Sequence, residues 1–260
     1  MHPMYFGSSS RPLFGVQHIP AGTARATGIV ILAPGLQEYG TAHWAMRSLA
    51  SALAARGFHT LRFDYHGMGD SSGEPTDVTM EAWAQDARVA YDEMRDTAGI
   101  ARVSFIGLRL GALVGTLASS AGAGLRDLVL WDPVVCGARY LDEIELRDAT
   151  MRLRLLHPPS HASREDLAGY PLPRPVRESI ARLDLRKLAP PAADRVAIFV
   201  AQPQEEVLSL SDAWKGNGAN VTLHVSGAQA SVSQAGVRQT AMLAGDTVSA
   251  VVACFEANES

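Results

Sequence analysis

Along the chain, short runs of β-branched and apolar residues alternate with longer stretches whose apolar positions recur every three to four residues. Residues 28–33 (GIVILA) contain no polar position and stop at Pro34-Gly35, which predicts a strand buried on both faces. Residues 42–56 are rich in Ala and Leu at helical spacing and end at Gly57, a residue suited to closing a helix. Residues 59–64 (HTLRFD) predict the next strand, followed by a loop punctuated by Gly67, Gly69 and Gly73. A helix is expected over 81–97, with Trp83, Ala87, Ala90 and Met94 on one face. A short strand at 103–106 leads through a tight turn into a helix over 107–118. Strands follow at 128–131, 196–201 and 221–225, and a helix over 237–255 closes the chain. This alternation predicts an α/β fold, a mostly parallel sheet flanked by helices.

Between residues 136 and 188 the alternation breaks down into a stretch rich in Arg, Leu and Pro. The expected division is a core of 1–135 and 189–260, with 136–188 inserted as a helical lid. Insertions late in such a sheet lie over the strand C-terminal ends, where ligands bind. A peripheral helical decoration is the alternative.

Composition narrows the function classes. At 260 residues and 47% hydrophobic, the chain can bury a full core, and a formal charge of −4 gives no basic footprint for nucleic acid. Two cysteines, Cys136 and Cys254, cannot build a disulfide scaffold, and no Cys/His cluster suggests a metal. No metal or cofactor is therefore expected. No apolar run reaches the ~18 residues of a membrane span, and the N-terminus lacks the basic start and apolar stretch of a signal peptide. A cytoplasmic protein acting on a small-molecule substrate is expected, with no nucleic acid, no membrane span and an oligomeric state that the chain does not reveal.

The most informative stretch is 103–112 (VSFIGLRLGA): a strand, a Gly-x-Xaa-x-Gly turn, then a helix of small residues. This is the context of a nucleophile elbow, in which strand and helix approach too closely for a Cβ at either glycine. The central residue is Arg109. A guanidinium has five donors and no lone pair for attack, so Arg109 cannot be a nucleophile, although it can hold an anion bidentately.

Several further stretches carry a resemblance: 4–15 (MYFGSSSRPLFG), 34–38 (PGLQE), 63–74 (FDYHGMGDSSGE), 131–141 (WDPVVCGARYL) and 168–173 (AGYPLP). With 107–112 (GLRLGA), they make the chain similar to the α/β-hydrolases. It most resembles the serine-aminopeptidase-like branch and the exosortase-A-system-associated hydrolases, some of which also carry Arg at the elbow. The resemblance implies an α/β-hydrolase fold with a ligand pocket, and a setting in biosynthesis. It does not imply a serine nucleophile.

The remaining posts of a triad can be checked by position. An acid is expected after the 196–201 strand, where Glu205 and Glu206 stand in what reads as a surface loop. The base belongs in the loop 226–234, which has no histidine, and His224 lies within the preceding strand. A triad acts as a unit, so ordinary serine hydrolysis is excluded.

The residues expected to converge are Arg109, Glu38 and Asp132 as catalytic candidates, with Gly35, Leu36, Leu110 and Cys136 lining the substrate site. The Leu36 and Leu110 N–H groups would form a two-donor hole. Arg109 could equally be neutralised by Glu38 or Asp132 in a structural ion pair. The leading expectation is a non-canonical enzyme acting on a small acyl or carboxylate-bearing substrate, by cyclisation, condensation, elimination or acyl handling. A catalytically inactive binding or scaffolding protein is the alternative, and a conventional esterase or peptidase comes third.

Overall fold

The computed structural model describes residues 1–154, 166–167, 170–226 and 245–258. Eight strands form one sheet: β1 (His2–Ser8), β2 (Arg11–His18), β3 (Thr27–Leu32), β4 (His59–Phe63), β5 (Arg102–Leu108), β6 (Leu125–Trp131), β9 (Ala193–Val200) and β10 (Val221–Val225). A separate two-residue pair, β7 (Asp166–Leu167) and β8 (Tyr170–Pro171), lies between β6 and β9 in sequence. The sheet order is β1-β2-β4-β3-β5-β6-β9-β10. β1, β2 and β4 pair antiparallel at one edge, and every other pairing is parallel. This is the α/β-hydrolase arrangement.

The central strands are buried on both faces, as their unbroken apolar runs require. Helices α1 (Glu38–Ala55), α2 (Met80–Ala98) and α3 (Leu110–Ser120) follow β3, β4 and β5. Thr79 caps α2 by accepting from the Ala82 N–H, and Gly99 closes it in the left-handed conformation. Trp83, Ala87, Ala90 and Met94 are buried together, as their spacing predicts. Trp83 stacks on Tyr65 with ring centres 4.6 Å apart.

Several boundaries move outward. β6 begins at Leu125 rather than 128, because the polar pair Arg126 and Asp127 is buried within the sheet instead of preceding it. Asp127 accepts from Ser104 Oγ at 3.1 Å and from Arg195 Nε at 2.8 Å, which removes the penalty of burying a charge. The hairpin β1–β2 carries mixed polar and apolar residues and reads weakly as strands; pairing with β4 builds it. Between β6 and β9 lie α4 (Gly137–Arg154), the β7–β8 pair and α5 (Arg174–Ala181). Glu205 and Glu206 are not in a loop: they open α6 (Glu205–Gly216), where carboxylates favour the positive end of the helix dipole. The closing helix α7 spans Gly245–Ala257; residues 237–244 of the expected helix, His157, His161 and loop residues 227–234 lie outside the described residues. Among the described residues, no helix is long and apolar enough to cross a membrane.

Candidate active site

Three non-glycine residues among those described have positive φ, and each follows the C-terminal end of a parallel strand. They are Leu36 (51°) after β3, Arg109 (50°) after β5 and Asp132 (46°) after β6. Such a conformation costs ~1–3 kcal/mol and persists only where the surroundings impose it. Around Arg109 they do. Its N–H donates to the Trp131 carbonyl at 3.0 Å, and its carbonyl accepts from Ala112 N at 3.1 Å and Val134 N at 3.3 Å. The Asp132 N–H donates to the Phe199 carbonyl at 2.8 Å.

The two elbow glycines have a steric reason. A Cβ on Gly107 would lie 2.4 Å from the Gly111 carbonyl oxygen, and one on Gly111 would lie 2.3 Å from that of Leu32. β5 ends at Leu108 and α3 begins at Leu110, so Arg109 is the single residue between them.

The guanidinium is surrounded by carboxylates from three elements. Nε donates to Glu38 Oε1 at 3.2 Å, at the start of α1. Nη1 lies 3.6 Å from Asp132 Oδ2 and 3.5 Å from the Asp132 carbonyl, and Nη2 lies 3.7 Å from Glu143 Oε2 on α4. The Tyr140 ring packs 5.4 Å from the guanidinium carbon. Burial disfavours the charged form, but Glu38, Asp132 and Glu143 outweigh it, so the Arg109 pKa is held above its ordinary value.

Glu38 is buried and has further donors. Tyr140 Oη donates to Glu38 Oε2 at 3.0 Å, and Arg147 Nη1 lies 4.0 Å from Glu38 Oε1. Burial, reinforced by Glu38, pushes the Tyr140 hydroxyl well above its usual range and keeps it a donor. Tyr140, Glu143 and Arg147 occupy positions i, i+3 and i+7 of α4, a single helical face. The sequence reading passed over all three; their helical spacing was the signal available to find them.

Glu38, Asp132 and Arg109 are therefore brought together as expected. Glu38, held by these donors and the adjacent guanidinium, has little free lone-pair density for proton abstraction; the Asp132 carboxylate is more open. Leu110 is the first residue of α3, so its N–H is one of the orphan donors of a helix start. Neither it nor the Leu36 N–H meets a backbone acceptor among the described residues. Gly35 (φ 72°) packs so closely that a Cβ would lie 2.5 Å from the Trp83 ring.

The remaining candidates are placed by their own contacts. Cys136 forms a backbone bridge with Asp184, and its carbonyl accepts from the Tyr140 N–H at 3.1 Å at the start of α4. Glu206 pairs with Arg139 at 2.8 Å, tying α6 to α4. His43 packs against the rings of Tyr39 and Trp44, His66 contacts Ser72, and His224 stacks on Phe199. No group of three or more His, Cys, Asp or Glu among the described residues could hold a metal ion. An open groove of about 480 Å³ between α4 and α5 is lined by Asp142 and by two ion pairs, Arg177–Glu145 and Arg174–Glu178, and not by Arg109.

The family described as "Serine aminopeptidase, S33" matches residues 24–169, more than half the chain and a span containing Leu36, Glu38, Arg109 and Asp132. The chain belongs to this family. Protein ABHD12B of Homo sapiens is 35% identical over 91 residues, covering 35% of this S33-family chain and 24% of the relative, so the match spans about a quarter of that protein. Among solved structures, an esterase of Pyrococcus furiosus is 20% identical, with 98% of this chain and 91% of the other covered and a TM-score of 0.66. Proline iminopeptidase of Mycobacterium smegmatis is 16% identical over 99% and 98% of the two chains, TM-score 0.64. Est1E of Butyrivibrio proteoclasticus is 14% identical over 100% and 99%, TM-score 0.62. These likenesses show a shared fold.

Proposed function

We propose that this S33-family chain is a non-hydrolytic member of its family, a protein that binds a small acyl or carboxylate-bearing ligand without serine chemistry. One observation carries the reading: the residue at the elbow turn is a guanidinium held by Glu38, Asp132 and Glu143, where a hydrolase would need an activated hydroxyl. The absence of any histidine after His224 supports it, because no general base can enter from the loop that follows β10. The likeness of 107–112 to exosortase-A-system-associated hydrolases with Arg at the same turn supports it too. Residues 136–188 then act as a lid that brings Tyr140, Glu143 and Arg147 of α4 over the elbow.

A second reading, a non-canonical enzyme with Arg109 as anchor, is favoured by Asp132. Its carboxylate is 25% exposed and 3.6 Å from Arg109, close to the elbow and open enough to exchange a proton. In both readings the protein ignores fluorophosphonate probes and gives no measurable turnover of p-nitrophenyl butyrate. Arg109→Ser alone leaves that turnover near background, since the base is still missing. Stoichiometric labelling of any serine in the wild-type chain would overturn both.

A further inference from the structure

Resting on the non-hydrolytic reading of the elbow, we infer that the Arg109 cluster is a carboxylate-binding site completed by Arg147 of α4, and that the protein's own Glu143 occupies it here. The contacts around Arg109 divide by tightness. On the sheet side, Nε and the buried Glu38 form a hydrogen bond of 3.2 Å. On the outer side, Nη1 and Nη2 meet Asp132 at 3.6 Å and Glu143 at 3.7 Å. Both exceed the ~2.7–2.9 Å of a good charge-assisted hydrogen bond. Glu143 is also the most exposed of the three carboxylates, at 49%. It is a loosely held occupant of Nη2, a donor that an incoming carboxylate oxygen can take.

A second cation faces the same place. Arg147 lies one helical turn from Glu143, and its pairing with Glu38 spans 4.0 Å. One face of α4 thus supplies an aromatic wall (Tyr140), a removable carboxylate (Glu143) and a second guanidinium (Arg147). A ligand carboxylate that displaces Glu143 into solvent takes over the Arg109 Nη2 edge and comes within reach of Arg147. The exchange leaves the local charge count unchanged, which is why a monoanionic carboxylate fits better than a dianion. The N–H groups of Leu36 and Leu110, which meet no backbone acceptor among the described residues, are further donors for the ligand.

Isothermal titration of the full chain with benzoate tests the inference, with benzamide as its neutral counterpart and inorganic phosphate as a second anion. Wild type binds benzoate weakly, and Glu143→Gln and Glu143→Ala each bind it about three- to tenfold more tightly, because the competing carboxylate is gone. Arg147→Gln weakens benzoate by a similar factor, and benzamide does not bind. Circular dichroism checks that each variant is folded. Unchanged benzoate affinity in both Glu143 variants overturns the inference, as does the absence of benzoate binding in all of the proteins. Phosphate bound as tightly as benzoate overturns the carboxylate class. Fluorophosphonate labelling would instead strike the non-hydrolytic reading, so the two failures are separable.

Discussion

At Arg109 the energetics of a buried charge and of a strained turn coincide. The side chain is only 12% exposed, and it is the closest cation to Glu38, itself almost fully buried. Removing the guanidinium strands that carboxylate, at ~3–5 kcal/mol for a fully buried pair. Tyr140 and Arg147 still face Glu38, so Arg109→Ala is expected to cost about 2–4 kcal/mol in urea unfolding. Arg109→Lys keeps the charge and should lose less than half as much. A double-mutant cycle with Glu38→Gln should recover part of the Arg109→Ala loss, because the stranded charge is then absent. Purely additive losses would show that the two groups are not coupled. Sequence reasoning reached this pair because a buried arginine requires a partner and Glu38 follows the neighbouring strand. It missed Glu143 and Arg147 because a helix face can be matched to a site only after the helix is placed over it.

At the scale of elements, the elbow depends on how closely α3 starts above β3. The contact between Gly111 and the Leu32 carbonyl leaves no room for a methyl group, and the obstructing atom is backbone and cannot move aside. Gly111→Ala should therefore destabilise the protein by about 3 kcal/mol or more, or prevent soluble expression. Gly40, by contrast, lies in the first turn of α1 with nothing within 4 Å of its Cβ position, so Gly40→Ala should cost nothing and gain up to ~1 kcal/mol. Similar losses at the two sites would refute the close-approach argument. Both elbow glycines were legible in the sequence, because the spacing Gly-x-Xaa-x-Gly between an apolar run and a small-residue helix has a steric cause. α6 was not legible as a helix, since its two opening glutamates read equally well as a loop.

Across the whole molecule, stability depends on pH through groups far from the elbow. His18, at the end of β2, accepts from Arg62 Nε at 3.2 Å, and burial followed by the Arg62 charge lowers its pKa to about 4. A depressed histidine contributes stability that is complete above its unfolded pKa of ~6.5 and is lost as pH falls through about 4. Asp86, on α2, behaves oppositely: burial raises its carboxyl to about 6, so its contribution is complete below the unfolded value of ~4 and is lost as pH rises through about 6. Relative to wild type, His18→Gln should lose the His18 share of acid sensitivity, about 2–3 kcal/mol between pH 7.5 and 4.5. Asp86→Asn should instead flatten the decline toward neutral pH. Urea titrations at four or five pH values read both differences, and parallel curves for wild type and variants would dismiss them.

The sequence by itself determined a mostly parallel α/β sheet, and the resemblance carried by its motifs added the α/β-hydrolase layout. Unbroken apolar runs can be satisfied only as doubly covered strands, and the glycines at 107 and 111 admit only a tight strand-to-helix turn. It also put an arginine, a side chain with no lone pair to offer, at the turn between those glycines. Tertiary structure alone decided what surrounds Arg109. Glu38, Asp132 and Glu143 are separated by 71, 23 and 34 positions from it, and they meet because three strand ends and one inserted helix share an edge of the sheet. The antiparallel hairpin at the other edge was likewise decided by pairing with β4, because its mixed polar pattern carries no strong local preference.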